Sequence, residues 1–188
     1  MKHLKKFFKK SPVIASVRDL KYLDEAMSSE AVVVFLLTGS IFDLEGAMQK
    51  ARDNDKLLMI NIDMVEGVAK DKKGVEFLAK KNLCDGIIST RSFLIKLAKK
   101  TGLITIQRIF MLDSGSFHTA ETLIKKSQPD SIEVLPGVTA LYYLKHEKNL
   151  NLPIIAGGLI ETSEEINKLV SQGVIAISTS EKSLWPYP

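Results

Sequence analysis

An α/β chain folded as a short (β/α)8 TIM-type barrel, lacking a full final helix, is the architecture this 188-residue sequence predicts. Three observations carry it. Eight short runs rich in Val, Ile and Leu recur along the chain. They are continuously apolar rather than alternating, as strands buried on both faces of a parallel sheet are. Amphipathic stretches separate them, and the strand-to-strand spacing of about 20–30 residues is that of a βα unit. An open doubly wound parallel sheet is the alternative, because it is built from the same units.

The elements follow in order. Segment 12–17 is the first strand and 20–27 the first helical pattern. Strand 32–37 precedes helix 44–54, and strand 57–62 precedes helix 74–81. Strand 86–88 leads into helix 93–101, which Gly102 closes as C-terminal glycines do. Strand 104–107 is followed by helix 118–127, and strand 131–134 by helix 139–147. Strand 154–156 leads to helix 163–172, opened by Ser163 with Glu164 and Glu165 and closed by Gly173. Strand 174–177 is the last. Only 178–188 remain after it, so an eighth helix has little room. Residues 1–10 form a basic segment with Leu4, Phe7 and Phe8 at helical spacing, suited to covering apolar surface. The whole, 1–188, reads as one barrel domain.

Composition excludes several classes. Hydrophobic residues make up 45% and charged residues 26%, ordinary for a globular protein. Cys84 is the only cysteine, so no intramolecular disulfide exists, which suits a reducing cytoplasm. The basic start lacks the apolar stretch of a secretory signal, and no apolar run reaches the roughly 20 residues that span a bilayer. The net charge of +4 permits a polyanionic partner without demanding one.

Ligands of such folds bind at the carboxyl ends of the strands. Arg18, Arg91 and Arg108, three of the four arginines, follow strands there; Arg52 sits on a helix as solvated surface. Asp63 and Glu133 occupy matching places, able to hold those arginines or to accept from ligand hydroxyls. After the seventh strand, Gly157 and Gly158 let backbone N–H groups approach an anion. After the eighth, Thr179 and Ser180 add hydroxyls. Either turn alone is an ordinary tight turn; together, after strands seven and eight, they match where barrels place phosphate. The histidines, His3, His118 and His146, follow no strand, so neither a metal nor a cofactor is expected. No lysine ends a strand as a Schiff-base enzyme would favour. Lys182 is close, but reads as solvated. Cys84 lies at the opposite strand end and reads as core.

Four segments go further: Gly86-Ile-Ile-Ser-Thr-Arg91, Ile106 through Ser114, Ile132-Glu-Val-Leu-Pro-Gly137, and Pro153 through Ile160. In order and spacing they resemble the successive motifs of the glycerol uptake operon antiterminators, over about Pro12 to Trp185. The resemblance implies binding of glycerol 3-phosphate and then of a leader mRNA, preventing premature termination. It implies a ligand pocket of Arg18, Asp63, Arg91, Arg108, Glu133, Gly157, Gly158, Thr179 and Ser180. One departure is Asn61, where the family usually carries a histidine. RNA binding rests on the resemblance, since no RNA-recognition, KH or helix-turn-helix signature is present. Lys5, Lys6, Lys9 and Lys10 are the candidate RNA contacts; lysines 70, 72, 73, 96, 99 and 100 read as solvated helix faces. Against this regulator stand two other readings. One is a phosphate-binding barrel enzyme on a small sugar phosphate, with Asp63 and Glu133 as acid and base. The other is a metabolite-binding protein acting through a protein partner.

Overall fold

In a computed structural model, which describes residues 7–8, 10–147 and 152–187, eight parallel strands close into a barrel in the order β1 to β8. The strands are β1 Val13–Val17, β2 Val33–Leu36, β3 Leu57–Asn61, β4 Gly86–Ser89, β5 Ile104–Phe110, β6 Ser131–Leu135, β7 Ile154–Gly157 and β8 Ala176–Thr179. Seven α-helices among the described residues lie between them: α1 Leu23–Ser28, α2 Leu44–Asp53, α3 Lys72–Lys80, α4 Ser92–Lys100, α5 Ser114–Ser127, α6 Ala140–His146 and α7 Ser163–Ser171. This is the (β/α)8 architecture, not the open sheet.

The continuous apolar runs have two destinations. Alternate residues face the barrel interior, where Ile14, Phe35, Met59, Ile88, Ile106 and Ile155 form one buried cluster. Their neighbours, such as Val13, Val34, Ile60, Ile87 and Ile177, pack outward with the helices in a second cluster. Every residue of β1, β2, β4, β7 and β8 is buried, so the period-two signal disappears from the sequence. Phe8 and the partly buried Phe7 join the interior cluster.

Several boundaries differ from the sequence reading. β5 runs on to Phe110 because its ladder with β6 continues through Arg108↔Glu133 and Phe110↔Leu135. Arg108 therefore lies within a strand rather than after it. β8 is shifted toward its C-terminus by pairing Gly157↔Ser178 and Ala15↔Thr179. Gly157, Ser178 and Thr179 are consequently strand residues and not turn residues. The cap of α7 is Thr162, not Ser163: its side chain accepts from Glu165 N–H, and the Glu165 carboxylate accepts from Thr162 N–H. The backbone N–H groups of Glu161 and Thr162, both donated to it, hold the Glu165 carboxyl below its ordinary pKa. α5 begins earlier than periodicity suggests, at Ser114, because Asp113 and Ser116 form a capping box ahead of the apolar positions.

A short segment fills the place of an eighth helix. A 3-10 turn at Lys182–Leu184 follows β8, and Trp185 then packs into the outer cluster. The Trp185 indole N–H donates to Thr179 C=O at 3.0 Å. Tyr187 reaches Asn167 on α7, while Lys182 pairs with Glu25 on α1 at 2.8 Å. The strap thus bridges the two helices between which a final helix would lie. Trp185→Ala should therefore lower the unfolding free energy by about 3–5 kcal/mol. Urea denaturation followed by far-ultraviolet circular dichroism measures this; a loss below 1 kcal/mol would show that the strap is dispensable to the barrel wall.

Candidate functional site

The interior changes character toward the carboxyl ends of the strands. Along β1 the inward positions run Ile14, Ser16 and then Arg18; along β5, Ile106 and Arg108; along β8, Ala176 and Ser178. The polar positions form the floor of an open cavity of about 480 Å³, lined also by Glu133, Gly158 and Ser180.

A buried ion pair anchors that floor. Arg108 and Glu133 are register partners on β5 and β6, and Arg108 Nε donates to Glu133 Oε2 at 2.6 Å. Arg108 is 8% exposed and Glu133 1%. The other carboxylate oxygen accepts from Ser178 Oγ at 2.6 Å. Both oxygens are thus occupied, and the carboxylate fixes the guanidinium rather than standing free as a base. The terminal nitrogens of Arg108 have no protein acceptor among the described residues, which leaves that edge of the fork for a ligand. Gly157 makes this arrangement possible. A Cβ there would stand 2.4 Å from Ser178 Oγ and 2.8 Å from Glu133 Oε1.

The rim supplies donors. Gly158 has φ +77°, a conformation costly for a side-chain-bearing residue, and its C=O accepts from Gly137 N–H. The N–H groups of Gly158 and Ser180 have no acceptor among the described residues, and both residues line the cavity. Arg18 lines it too, without an ion-pair partner among the described residues. On the floor, Ser16 Oγ is buried with no hydrogen-bond partner among the described residues. A buried hydroxyl without a partner costs about 1–3 kcal/mol, which a ligand's polar atom would relieve.

The remaining candidates sit elsewhere. Thr179 borders the cavity, but its hydroxyl proton is committed to Ile160 C=O at 2.9 Å and its oxygen accepts from Glu181 N–H. Its role is to hold the loop after β8. Asp63 lies outside the cavity lining, where it accepts from Ser89 Oγ, Thr90 N–H and Thr90 Oγ1. Arg91 stands beside it at 3.5 Å. This second cluster ties the loops after β3 and β4 together. Asn61 belongs to the same corner: it is buried, and its side chain accepts from Asp63 N–H. Of the proposed RNA contacts, Lys10 is exposed, while Lys5, Lys6 and Lys9 lie outside the described residues.

Sequence reasoning passed over Ser16 and gave Ser178 no ligand role. The signal was available in the two-residue spacing of Ile14, Ser16 and Arg18, which puts all three on one face of a strand. Cys84 is buried, and burial pushes its thiol up to about 12, which leaves it inert as a nucleophile. Lys182 is not a free lysine: it pairs with Glu25 and stands over the Tyr22 ring at 4.2 Å. Among the described residues, no group of three or more His, Cys, Asp or Glu could hold a metal ion. No helix among them is long and apolar enough to cross a membrane.

Because Arg108 depends on its partner, Glu133→Ala should cost about 3–5 kcal/mol of stability by stranding a buried charge. Chemical denaturation reads this directly. A cost near that of a surface substitution would mean that Arg108 escapes to water when released.

Comparisons with known proteins agree along nearly the whole chain. The protein YgcP of Escherichia coli (strain K12) is 33% identical over 177 residues, covering 94% of this chain and 93% of that protein. The crystal structure of a glycerol uptake operon antiterminator regulatory protein from Listeria monocytogenes superposes with a TM-score of 0.88 at 35% identity, covering 95% of this chain and 96% of the other. A glycerol uptake operon antiterminator-related protein from Thermotoga maritima superposes with a TM-score of 0.82 at 32% identity, covering 92% and 96%. Residues 13–185 match the family described as glycerol-3-phosphate responsive antiterminator, and the chain belongs to that family.

Proposed function

We propose that this protein is a cytoplasmic transcription antiterminator that binds glycerol 3-phosphate in the barrel mouth and, in that state, binds a leader mRNA. The observation that carries the ligand half is the floor of the mouth. A fixed, buried arginine faces an open cavity beside a serine hydroxyl that has no partner among the described residues, under a rim formed by Gly158 and Ser180. That combination suits a small molecule with one anionic end and hydroxyls at the other. The phosphate would sit at Gly158, Ser180 and Arg18, whose N–H groups and guanidinium suit anionic oxygens. Arg108 and Ser16 would take the hydroxyls. Gly157 and Thr179 would shape the pocket without touching the ligand, and Asp63 with Arg91 would hold its outer wall.

Binding rather than turnover is supported by the chemistry of the same groups. Glu133 has both oxygens engaged, and Asp63 is saturated by donors and lies off the cavity. Neither is placed to exchange a proton with a bound ligand.

Calorimetric titration with glycerol 3-phosphate tests the reading. Arg108→Ala and Gly158→Val should each weaken binding by about tenfold or more, through a lost charged hydrogen bond and an obstructed rim respectively. Unchanged affinity in a folded Gly158→Val protein would move the phosphate elsewhere. Repeating the titration with saturating leader RNA tests the regulatory half. If the ligand tightens RNA binding, RNA must tighten ligand binding by the same factor, typically about 5–150-fold. Equal ligand affinity with and without RNA would defeat the regulator, and turnover of a triose phosphate abolished by Asp63→Asn would replace it with an enzyme.

A further inference from the structure

We propose that the groove between α4 and α5, on the flank of the barrel, is a docking surface for single-stranded RNA; the proposal rests on the regulator reading above. The groove encloses about 580 Å³ and is lined by Phe93 and by Lys96, Lys99, Lys100, Lys125 and Lys126. It is separate from the cavity in the barrel mouth, with which it shares no lining residue.

Some of these lysines have an ordinary explanation. Lys99 and Lys100 end α4, and Lys125 and Lys126 end α5, where cations offset the helix dipole. Lys99 is further occupied by Gln128 C=O and by Asp130. That explanation stops short of the rest. Lys96 stands in the middle of α4, four residues before Lys100, a like-charge spacing that weakens an isolated helix. Among the described residues, Lys96, Lys100, Lys125 and Lys126 have no carboxylate within ion-pair distance. Phe93 opens the same groove and is 51% exposed, an aromatic face left in water beside unpaired cations.

The charge around the barrel is divided as well. Residues 64–130, which contain α3, α4 and α5, hold twelve Lys and Arg against seven Asp and Glu. Residues 18–63 and 152–187, which contain α1, α2 and α7, hold seven against thirteen. A modest net charge of +4 therefore hides a strongly basic flank opposite an acidic one. Such a field brings a polyanion to the α4–α5 side and turns it away from the other.

Cations that track a backbone, together with an exposed ring on which a base can stack, are the elements of single-strand binding. A duplex offers the same phosphates but keeps its bases paired and stacked, so Phe93 would have nothing to receive. The groove also shares an element with the ligand site region. Arg91 is the N-cap residue of α4 and stands 3.5 Å from Asp63 at the mouth, two residues before Phe93. One helix thus joins the rim of the mouth to the groove.

The test uses the full chain and a fluorescently labelled, random-sequence single-stranded RNA pool of about 30 nucleotides, long enough for one site. Anisotropy titrations run across about 50–200 mM KCl. Replacing Lys96, Lys100, Lys125 and Lys126 together by Gln should weaken binding at least tenfold. It should also flatten the salt slope by about 0.7 for each phosphate no longer neutralised. Phe93→Ala should weaken single-strand binding about fivefold or more while leaving a duplex of matched length unaffected. Glycerol 3-phosphate affinity without RNA should remain that of the wild type in both variants, which also certifies their fold. An unchanged affinity and slope in the quadruple lysine variant would overturn the groove. So would a full loss produced instead by neutralising Lys5, Lys6, Lys9 and Lys10. Equal losses for single strand and duplex in Phe93→Ala would overturn the single-strand assignment. Groove-dependent RNA binding that ignores glycerol 3-phosphate would defeat the regulator reading while leaving the groove standing. A wild-type protein that binds neither the pool nor leader RNA would defeat both.

Discussion

Inside the barrel, Arg108 and Glu133 face each other across the β5–β6 ladder, both almost wholly withdrawn from water. Each charge would be costly there alone, and their contact at 2.6 Å is tolerable because the second carboxylate oxygen is also met and the rest of the guanidinium opens onto the cavity. Ser178 satisfies the second carboxylate oxygen, Gly157 vacates the space that oxygen needs, and the open cavity receives the free edge of the guanidinium. Four strands are therefore committed at one level of the barrel by a single pair. The register of β5 with β6, and of β7 with β8, must hold for the pair to form at all.

Above and below that level the same strands do different things. Below it, apolar side chains such as Ile14, Phe35, Met59 and Ile155 fill the interior, and Phe8 packs onto that cluster. Above it, the strands end in residues whose donors line the cavity: Gly158, Ser180 and Arg18. A closed apolar base and an open polar mouth follow from this vertical division, which places binding where loops can vary without disturbing the packed core. The seventh and first helices, meanwhile, are bridged by the segment of Lys182, Trp185 and Tyr187 that follows β8.

Much of this was legible in the order of residues alone. Eight doubly buried runs announced the parallel sheet, and the helix-closing glycines stood where expected, with φ of +85° at Gly102 and +104° at Gly173. Boundaries were less legible, because a strand ends where its partner stops offering hydrogen bonds. β8 shifted onto Ser178 and Thr179 for that reason, and β5 lengthened past Arg108. At the mouth, a succession of polar residues following strands could not separate two clusters that face different ways. Asp63 with Arg91 ties two loops together, Arg108 with Glu133 builds the cavity floor, and Thr179 spends its hydroxyl on Ile160.

The sequence by itself determined the class of fold, the succession of its elements and the family, because those rest on local periodicity and on residues counted along the chain. Only the tertiary structure decided which arginine is held by which carboxylate, and that Ser16 stands on the floor without a partner among the described residues. It alone brought Phe93 and five lysines into one groove on the basic flank. The physical reason is the same in each case. Periodicity says which face of an element a residue occupies, but the partner on that face is chosen by strand register and helix packing, between residues 25 to 45 positions apart in the chain.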